Sequence, residues 1–319
     1  MKLPLSLPPK EAKLFDAVGF GENSLDLVGV VSAYPDPDTK QQLTSFQELP
    51  GGQAAVAMVA CARQGWRTRY VGSFGTDARG SSVETALARE GVEVVALRRE
   101  GARSRVAIVL VDAKGHRTVL ESRDPALAWR GSEVDPDVAA SGRLLLVDGR
   151  DIEASTVAAR AAQAAGVPTL VDVEEVGPGV DALLGAIDLL VVAEAFPSAY
   201  TGVASVGDAL RRLASEFRPA LAVVTLGAEG SLAYCGGVEI HTPAFPVTVV
   251  DATGAGDAFR GGLMAAWLRF GPDGPVETLL EYANGVAALN CMGLGALGGL
   301  PTRPAVDALV TGAKRVRSN

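Results

Sequence analysis

Histidine and cysteine are scarce in this chain, and each scarcity removes a class of chemistry. With only His116 and His241 among 319 residues, a histidine-built metal centre or a Ser-His-Asp hydrolytic triad has little to draw on. The three cysteines, Cys61, Cys235 and Cys291, lie far apart and show no Cys-x-x-Cys spacing. They read as small buried apolar groups in a reducing compartment, not as a disulfide frame or a zinc site. Basic residues are outnumbered, 29 Lys and Arg against 37 Asp and Glu, so the net charge of -8 leaves no footprint for nucleic acid or an anionic membrane surface. No apolar run approaches the length of a membrane span, and the proline-bearing first ten residues lack the apolar core of a secretion signal. A cytoplasmic location is the expectation. No Gly-x-Gly-x-x-Gly follows the first expected strand, which disfavours a dinucleotide-dependent dehydrogenase.

What is present is an ordinary globular composition, 48% hydrophobic and 21% charged, organised around one stretch. Pro246-Val247-Thr248-Val249-Val250 reads as a strand, Asp251-Ala252-Thr253-Gly254-Ala255-Gly256-Asp257 as a glycine turn, and Ala258 to Leu268 as a close-packed helix. A helix N-terminus offers unpaired N–H groups and a favourable dipole to an anion. A loop that only held a phosphate would avoid acids, so Asp257 beside it suggests a base next to an anion hole, as phosphoryl transfer to a hydroxyl needs. The blander reading is a glycine-rich cap with Asp257 as a first-turn dipole partner. Two acids six residues apart make that reading the weaker one.

In chain order, a first strand at residues 14–21 is followed by Glu22 to Val28, with Asp26 placed just beyond its carboxyl end, where ligands bind in open α/β sheets. Asn and Asp also suit plain turns there. Gly51-Gly52 opens a small-residue helix from Gln53 to Arg63, and Tyr70 to Gly80 reads as strand, glycine turn and helix start. Two β-rich runs between Ser104 and Leu120 read as a hairpin. From Leu144 onward strands and helices alternate, with strands at Thr169 to Val173, Ile187 to Val192 and Leu221 to Leu226, which predicts a parallel sheet covered on both faces. Thr225-Leu226-Gly227-Ala228-Glu229-Gly230 is a further strand-to-glycine turn. No repeat or linker interrupts residues 1–319, so one domain is expected, with excursions at approximately 27–50 and 101–124.

The stretch from Asp251 to Gly262 resembles the C-terminal signature of the PfkB, or ribokinase-like, carbohydrate kinases, almost throughout. The resemblance implies a three-layer α/β/α fold with a mostly parallel central sheet, a small β-sheet lid, and an ATP-dependent kinase acting on a sugar hydroxyl. By it, Asp257 is the catalytic base and the N–H groups of Gly254, Ala255 and Gly256 the anion hole. Asp251 and Thr253 help hold a monovalent cation such as K+. Asp26, Gly51 and Gly52 fall beside the sugar, with Gln53 as a substitute amide. Thr225, Gly227 and Gly230 fall at the ATP site, as does Asn284, for which a packed polar role is an equal alternative. The lid would exclude water, and its exposed sheet makes a homodimer an expectation.

Two departures stand out. The family's sugar-contacting Asn is Val56 here, and its Mg2+-organising Asn-x-x-Glu is replaced by Ala193 and Phe196, with Glu194 the only nearby acid. Mg2+ is still expected with ATP, held partly by the phosphates. Arg260, three residues after Asp257, suits either an anionic acceptor or an ion pair with a structural acid. A nucleoside kinase on the same scaffold, or a catalytically silent sugar or nucleotide sensor, are the rival functions.

Overall fold

The central strands carry apolar side chains on both faces, which only a sheet covered on both sides can accommodate. A computed structural model describes residues 1–317. The chain begins with β1 (Ala17–Phe20), β2 (Ser24–Val30), β3 (Ser45–Gly51), α1 (Gln53–Arg63), β4 (Thr68–Gly75), α2 (Ala78–Arg89) and β5 (Glu93–Arg99). Next come β6 (Val106–Val111), β7 (Arg117–Ser122), α3 (Pro136–Ala139), β8 (Leu145–Asp148), α4 (Ile152–Ala164), β9 (Thr169–Val173), α5 (Val180–Leu184) and β10 (Leu189–Ala193). The remainder is α6 (Ala195–Thr201), α7 (Val206–Phe217), β11 (Leu221–Thr225), β12 (Ser231–Cys235), β13 (Val238–Thr242), α8 (Ala255–Phe270), α9 (Val276–Asn290) and α10 (Arg303–Arg317).

The large sheet has the order β13-β12-β11-β10-β9-β8-β1-β4-β5, parallel from β11 to β5 and antiparallel at the β12–β13 edge. Successive strand residues feed opposite faces. Leu146, Leu170, Val191 and Val223 share a core with α1, α8 and α9, while Val147, Val171, Val192 and Val224 share one with α4, α5 and α7. The fold is thus the expected three-layer ribokinase-like α/β/α arrangement.

The small sheet has the order β3-β2-β6-β7, with β2 and β6 parallel and the outer pairs antiparallel. Its inner face buries Val28, Ala107, Val109 and Val111 against Leu49 and Leu294. Its outer face leaves Phe46, Ile108 and Leu120 open at 56%, 45% and 59% exposure.

Two local expectations change. Pro246–Val250 forms no strand: the N–H groups of Val250 and Asp251 donate to the Cys291 carbonyl at 2.8 and 3.2 Å, and Val249 and Val250 are exposed. β-branched residues favour strands only where a ladder and packing surface exist, and here the backbone docks on the end of α9 instead. The small sheet starts at residue 24, so Asp26 stands on a strand and not in a turn after β1. The proline-bearing start is draped and tied down, with Leu3 buried, Lys2 bridged to Pro275 and the Met1 carbonyl accepting from Val276 N–H at 2.7 Å.

Candidate active site

Gly254 sets the geometry. It has φ 73° and caps α8, and a Cβ there would lie 2.9 Å from the Ala296 backbone, so the turn needs glycine on both counts. No side chain caps α8, and the Ala255 N–H reaches back only to Ala252 at 3.3 Å. First-turn donors are therefore available to a ligand. Asp251 holds this turn in place: its Oδ1 accepts from the Thr253 N–H (2.8 Å) and hydroxyl (2.7 Å), and its Oδ2 from the Gly295 N–H (2.8 Å).

A cleft of about 580 Å³ lies between the small sheet and the carboxyl ends of the large one. It brings together Asp26, Gly52 and Gln53, then Thr225 and Gly227, and then Thr253 to Asp257 with Arg260. A second cleft of about 430 Å³ shares Gln53, Arg150, Glu174 and Glu175 with it and extends towards Pro178. Gly51, Gly230, Asp251 and Asn284 are not in the cleft wall. Gly51 makes room for Asp26, since a Cβ there would sit 2.1 Å from its Oδ2. Gly230, at φ 95°, lets the chain pass the Thr242 carbonyl. Asn284 is buried and donates to Ser231 Oγ (3.2 Å) and to the carbonyls of Thr242 (3.0 Å) and Pro243 (3.3 Å), which is the packed polar role. Val56 is in the core.

Two cleft carboxyls are displaced from ordinary values. Burial, reinforced by Glu174 and opposed by Arg260, pushes Asp257 up to about 6. Burial also raises Asp26, against the Ser24 hydroxyl, which donates to it at 2.5 Å, and against Arg105. Of the two readings of Arg260, the buried acid partner is present: it is 2% exposed, meets Asp172 Oδ1 at 2.8 Å, and donates to the Val191 carbonyl at 3.1 Å.

Several cleft residues escape motif reasoning. Arg105, Arg117 and Glu121 project inward from β7 and the start of β6, and Arg150 from the end of β8. Period-two alternation in the hairpin, Arg117-x-Val119-x-Glu121, was the available signal. Glu22, buried after β1, gathers Arg123 at 2.8 Å and both Arg105 and Arg150 at 3.2 Å, linking the small sheet to the large one. Asp148 ends β8 and Asp172 is the last residue but one of β9, acids near the carboxyl ends of mostly apolar strands, a pattern visible in the sequence.

For a divalent ion, the described residues contain no group of three or more His, Cys, Asp or Glu arranged to hold a metal. Ala193 has no donor side chain, Phe196 is wholly buried, and Glu194 is outside the cleft wall. No helix among the described residues is long and apolar enough to cross a membrane.

A mostly parallel sheet with a small sheet over its carboxyl edge is the architecture of the ribokinase-like fold. Residues 15–303 match the model of the pfkB family carbohydrate kinases, and the chain belongs to that family. It is 29% identical over 302 residues to ribokinase of Bacillus subtilis (strain 168), covering 91% of this chain and 98% of the relative. It is 30% identical over 292 residues to fructokinase of Klebsiella pneumoniae, covering 85% and 94%. Among solved structures, Arabidopsis thaliana ribokinase complexed with ribose and ATP matches with a TM-score of 0.77 at 25% identity, covering 93% of this chain and 98% of that one. The chain is an ATP-dependent carbohydrate kinase.

Proposed function

We propose that the enzyme moves the γ-phosphoryl group of ATP to a hydroxyl of a sugar or sugar derivative, with Asp257 as general base and the N–H groups of Gly254, Ala255 and Gly256 holding the charge of the moving group. The observation that carries this is the placement of Asp257: a carboxyl pushed up to about 6, in the first turn of an uncapped helix, lining the same cleft as Asp26. A base with that affinity is ionised at neutral pH yet accepts a proton readily. Asp26, Gly52 and Gln53 form the acceptor side, and Thr225 and Gly227 the nucleotide side. Mg2+ bound through the ATP phosphates would supply charge neutralisation, since the described residues hold no cluster of side chains that would cage it. Asp251 and Thr253 are the residues for a monovalent cation, K+, beside the α8 turn.

The outer face of the small sheet, with Phe46, Ile108 and Leu120 open, is the surface for a homodimer. The acceptor is found by a coupled ADP-release screen over neutral sugars, sugar acids, phosphosugars and nucleosides. With the acceptor in hand, Asp257→Asn is expected to lose at least about a hundredfold in turnover while calorimetric ATP affinity stays within about threefold. Wild-type turnover in that variant refutes the base.

A further inference from the structure

Asp172 is the last residue but one of β9 and is completely enclosed, yet donors reach only one of its two carboxyl oxygens. Its Oδ1 receives Arg260 at 2.8 Å and Gln53 Nε2 at 3.4 Å. Its Oδ2 meets no N–H or O–H donor. The carboxyl groups of Asp172 and Asp257 are hydrogen-bonding neighbours, and with Oδ1 taken by Arg260 and Gln53, Oδ2 is the oxygen left for that contact. Two ionised carboxylates in contact repel, whereas a pair sharing one proton satisfies both. An ionised Asp172 would leave a buried lone pair unmatched as well.

Arg260 fixes the other side of this group. Its Nη2 also bonds the Val191 carbonyl on β10 at 3.1 Å, and a Cβ on Gly256 would come within 2.8 Å of its Nη1. The guanidinium is thus wedged beneath the first turn of α8, between β9, β10 and the base.

We propose that Asp172 is a positioning residue for the general base: it keeps a proton on Oδ2, donates it to one oxygen of Asp257, and leaves the other oxygen facing the acceptor hydroxyl. This rests on Asp257 being the base. In the transfer step the acceptor O–H bond breaks and its proton goes to that free oxygen. The acceptor O–Pγ bond forms, and the bond from Pγ to the bridging oxygen of ADP breaks. The pair then holds two protons, and one leaves to solvent before the next turnover. The charged groups facing the pair are Arg260 on α8, Glu174 after β9, Asp148 on β8 and Arg117 on β7, with neutral Gln53 from α1. Arg260 and Arg117 favour ionised Asp257, and Glu174 opposes it.

The test compares kcat/KM against pH for wild type, Asp172→Asn and Asp172→Leu, with ATP affinity by calorimetry reporting that each variant is folded. An asparagine keeps an oxygen for Arg260 and an N–H for Asp257. The leucine variant is expected to lose about tenfold or more in kcat, while the asparagine variant recovers to within about threefold of wild type. The acid limb of the asparagine variant is expected to stay within about half a pH unit of wild type. If Asp172 is instead ionised, the asparagine variant removes a negative charge beside Asp257 and its acid limb falls by about one unit or more. That shift, or an asparagine variant no faster than the leucine one, overturns the proposal. If the leucine variant does not fold, the limb of the asparagine variant decides alone. Wild-type turnover in Asp257→Asn refutes the base itself, a different result from an inactive Asp257→Asn alongside an unimpaired Asp172→Leu.

Discussion

Asp148 on β8 and Asp172 on β9 are Cα partners across the parallel register, so two buried carboxyls stand side by side at the sheet's ligand edge. Asp148 accepts from the Glu22 N–H at 2.5 Å and the Arg150 N–H at 3.2 Å, and burial, together with the Glu22 charge, pushes it up to about 7. With Asp257 and Asp26 also raised, the cleft concentrates acids that hold protons in the folded state.

Stability is therefore expected to fall as pH rises. These carboxyls bind protons more tightly folded than unfolded, where the ordinary value is 3.8, so the native chain carries extra protons between there and about 7. Their stabilising contribution is complete below the unfolded value and lost through the folded one. Glu133, which hydrogen bonds from Arg99 hold down to about 2, has the opposite effect, confined to more acid solution. A Tm measured by scanning fluorimetry is expected to be higher at about pH 5 than at about pH 7.5. A profile rising over that window contradicts the assignment.

Activity is expected to run the other way. With Asp257 at about 6, kcat/KM at saturating ATP rises through that pH and drops about tenfold per unit well below it. Initial rates against pH check this, and a flat profile from pH 5 to 8 at about constant rate would exclude a carboxylate base in this range.

Gly51→Ala is expected to damage the acceptor side selectively. The new methyl would lie 2.1 Å from Asp26 Oδ2, so the carboxyl must turn away. The acceptor KM is expected to rise about tenfold while that for ATP changes less than about twofold. Equal effects on both substrates would remove Asp26 from acceptor binding.

Gly254→Ala combines backbone strain at φ 73° with crowding against Ala296. Gly91→Ala, at φ 79° with nothing within 4 Å, measures the strain alone. Strain is expected to cost about 1–2 kcal/mol in each, with a further loss of stability and of kcat confined to the Gly254 variant. Denaturant unfolding and steady-state rates separate the two, and equal behaviour of the pair would show that the α8 turn tolerates a side chain.

Leu120→Glu places a charge on the open face of the small sheet, where Leu120 is 59% exposed. Sedimentation is expected to show a dimer for wild type and a monomer for the variant. A wild-type monomer at about 10 µM would leave that face without a partner copy.

The parallel core was legible because hydrophobic runs such as Thr169–Val173 are buried at every position, and α1 occupies the residues its small-residue run suggested. The α8 turn was legible because only glycine and short side chains fit it. Less could be read where tertiary contacts override local preference. Val247 to Val250 look like a strand but dock on Cys291, and no local signal reports a carbonyl so far downstream. Arg260 posed a choice that only its partner could settle, and Asp172 lies far earlier in the chain, on another element. Asn284 likewise gave no local hint that its amide would be consumed by β13 and the turn after it.

The cleft wall on the small sheet and the α8 turn have separate supports. Arg117, Val119 and Glu121 face the cleft from β7, the outermost strand of the small sheet, whose residues are all exposed. Changes on such a strand typically shift stability by only about 0.5 kcal/mol. The cleft wall along this peripheral ribbon is therefore free to vary by drift, while α8 and its glycines stay frozen.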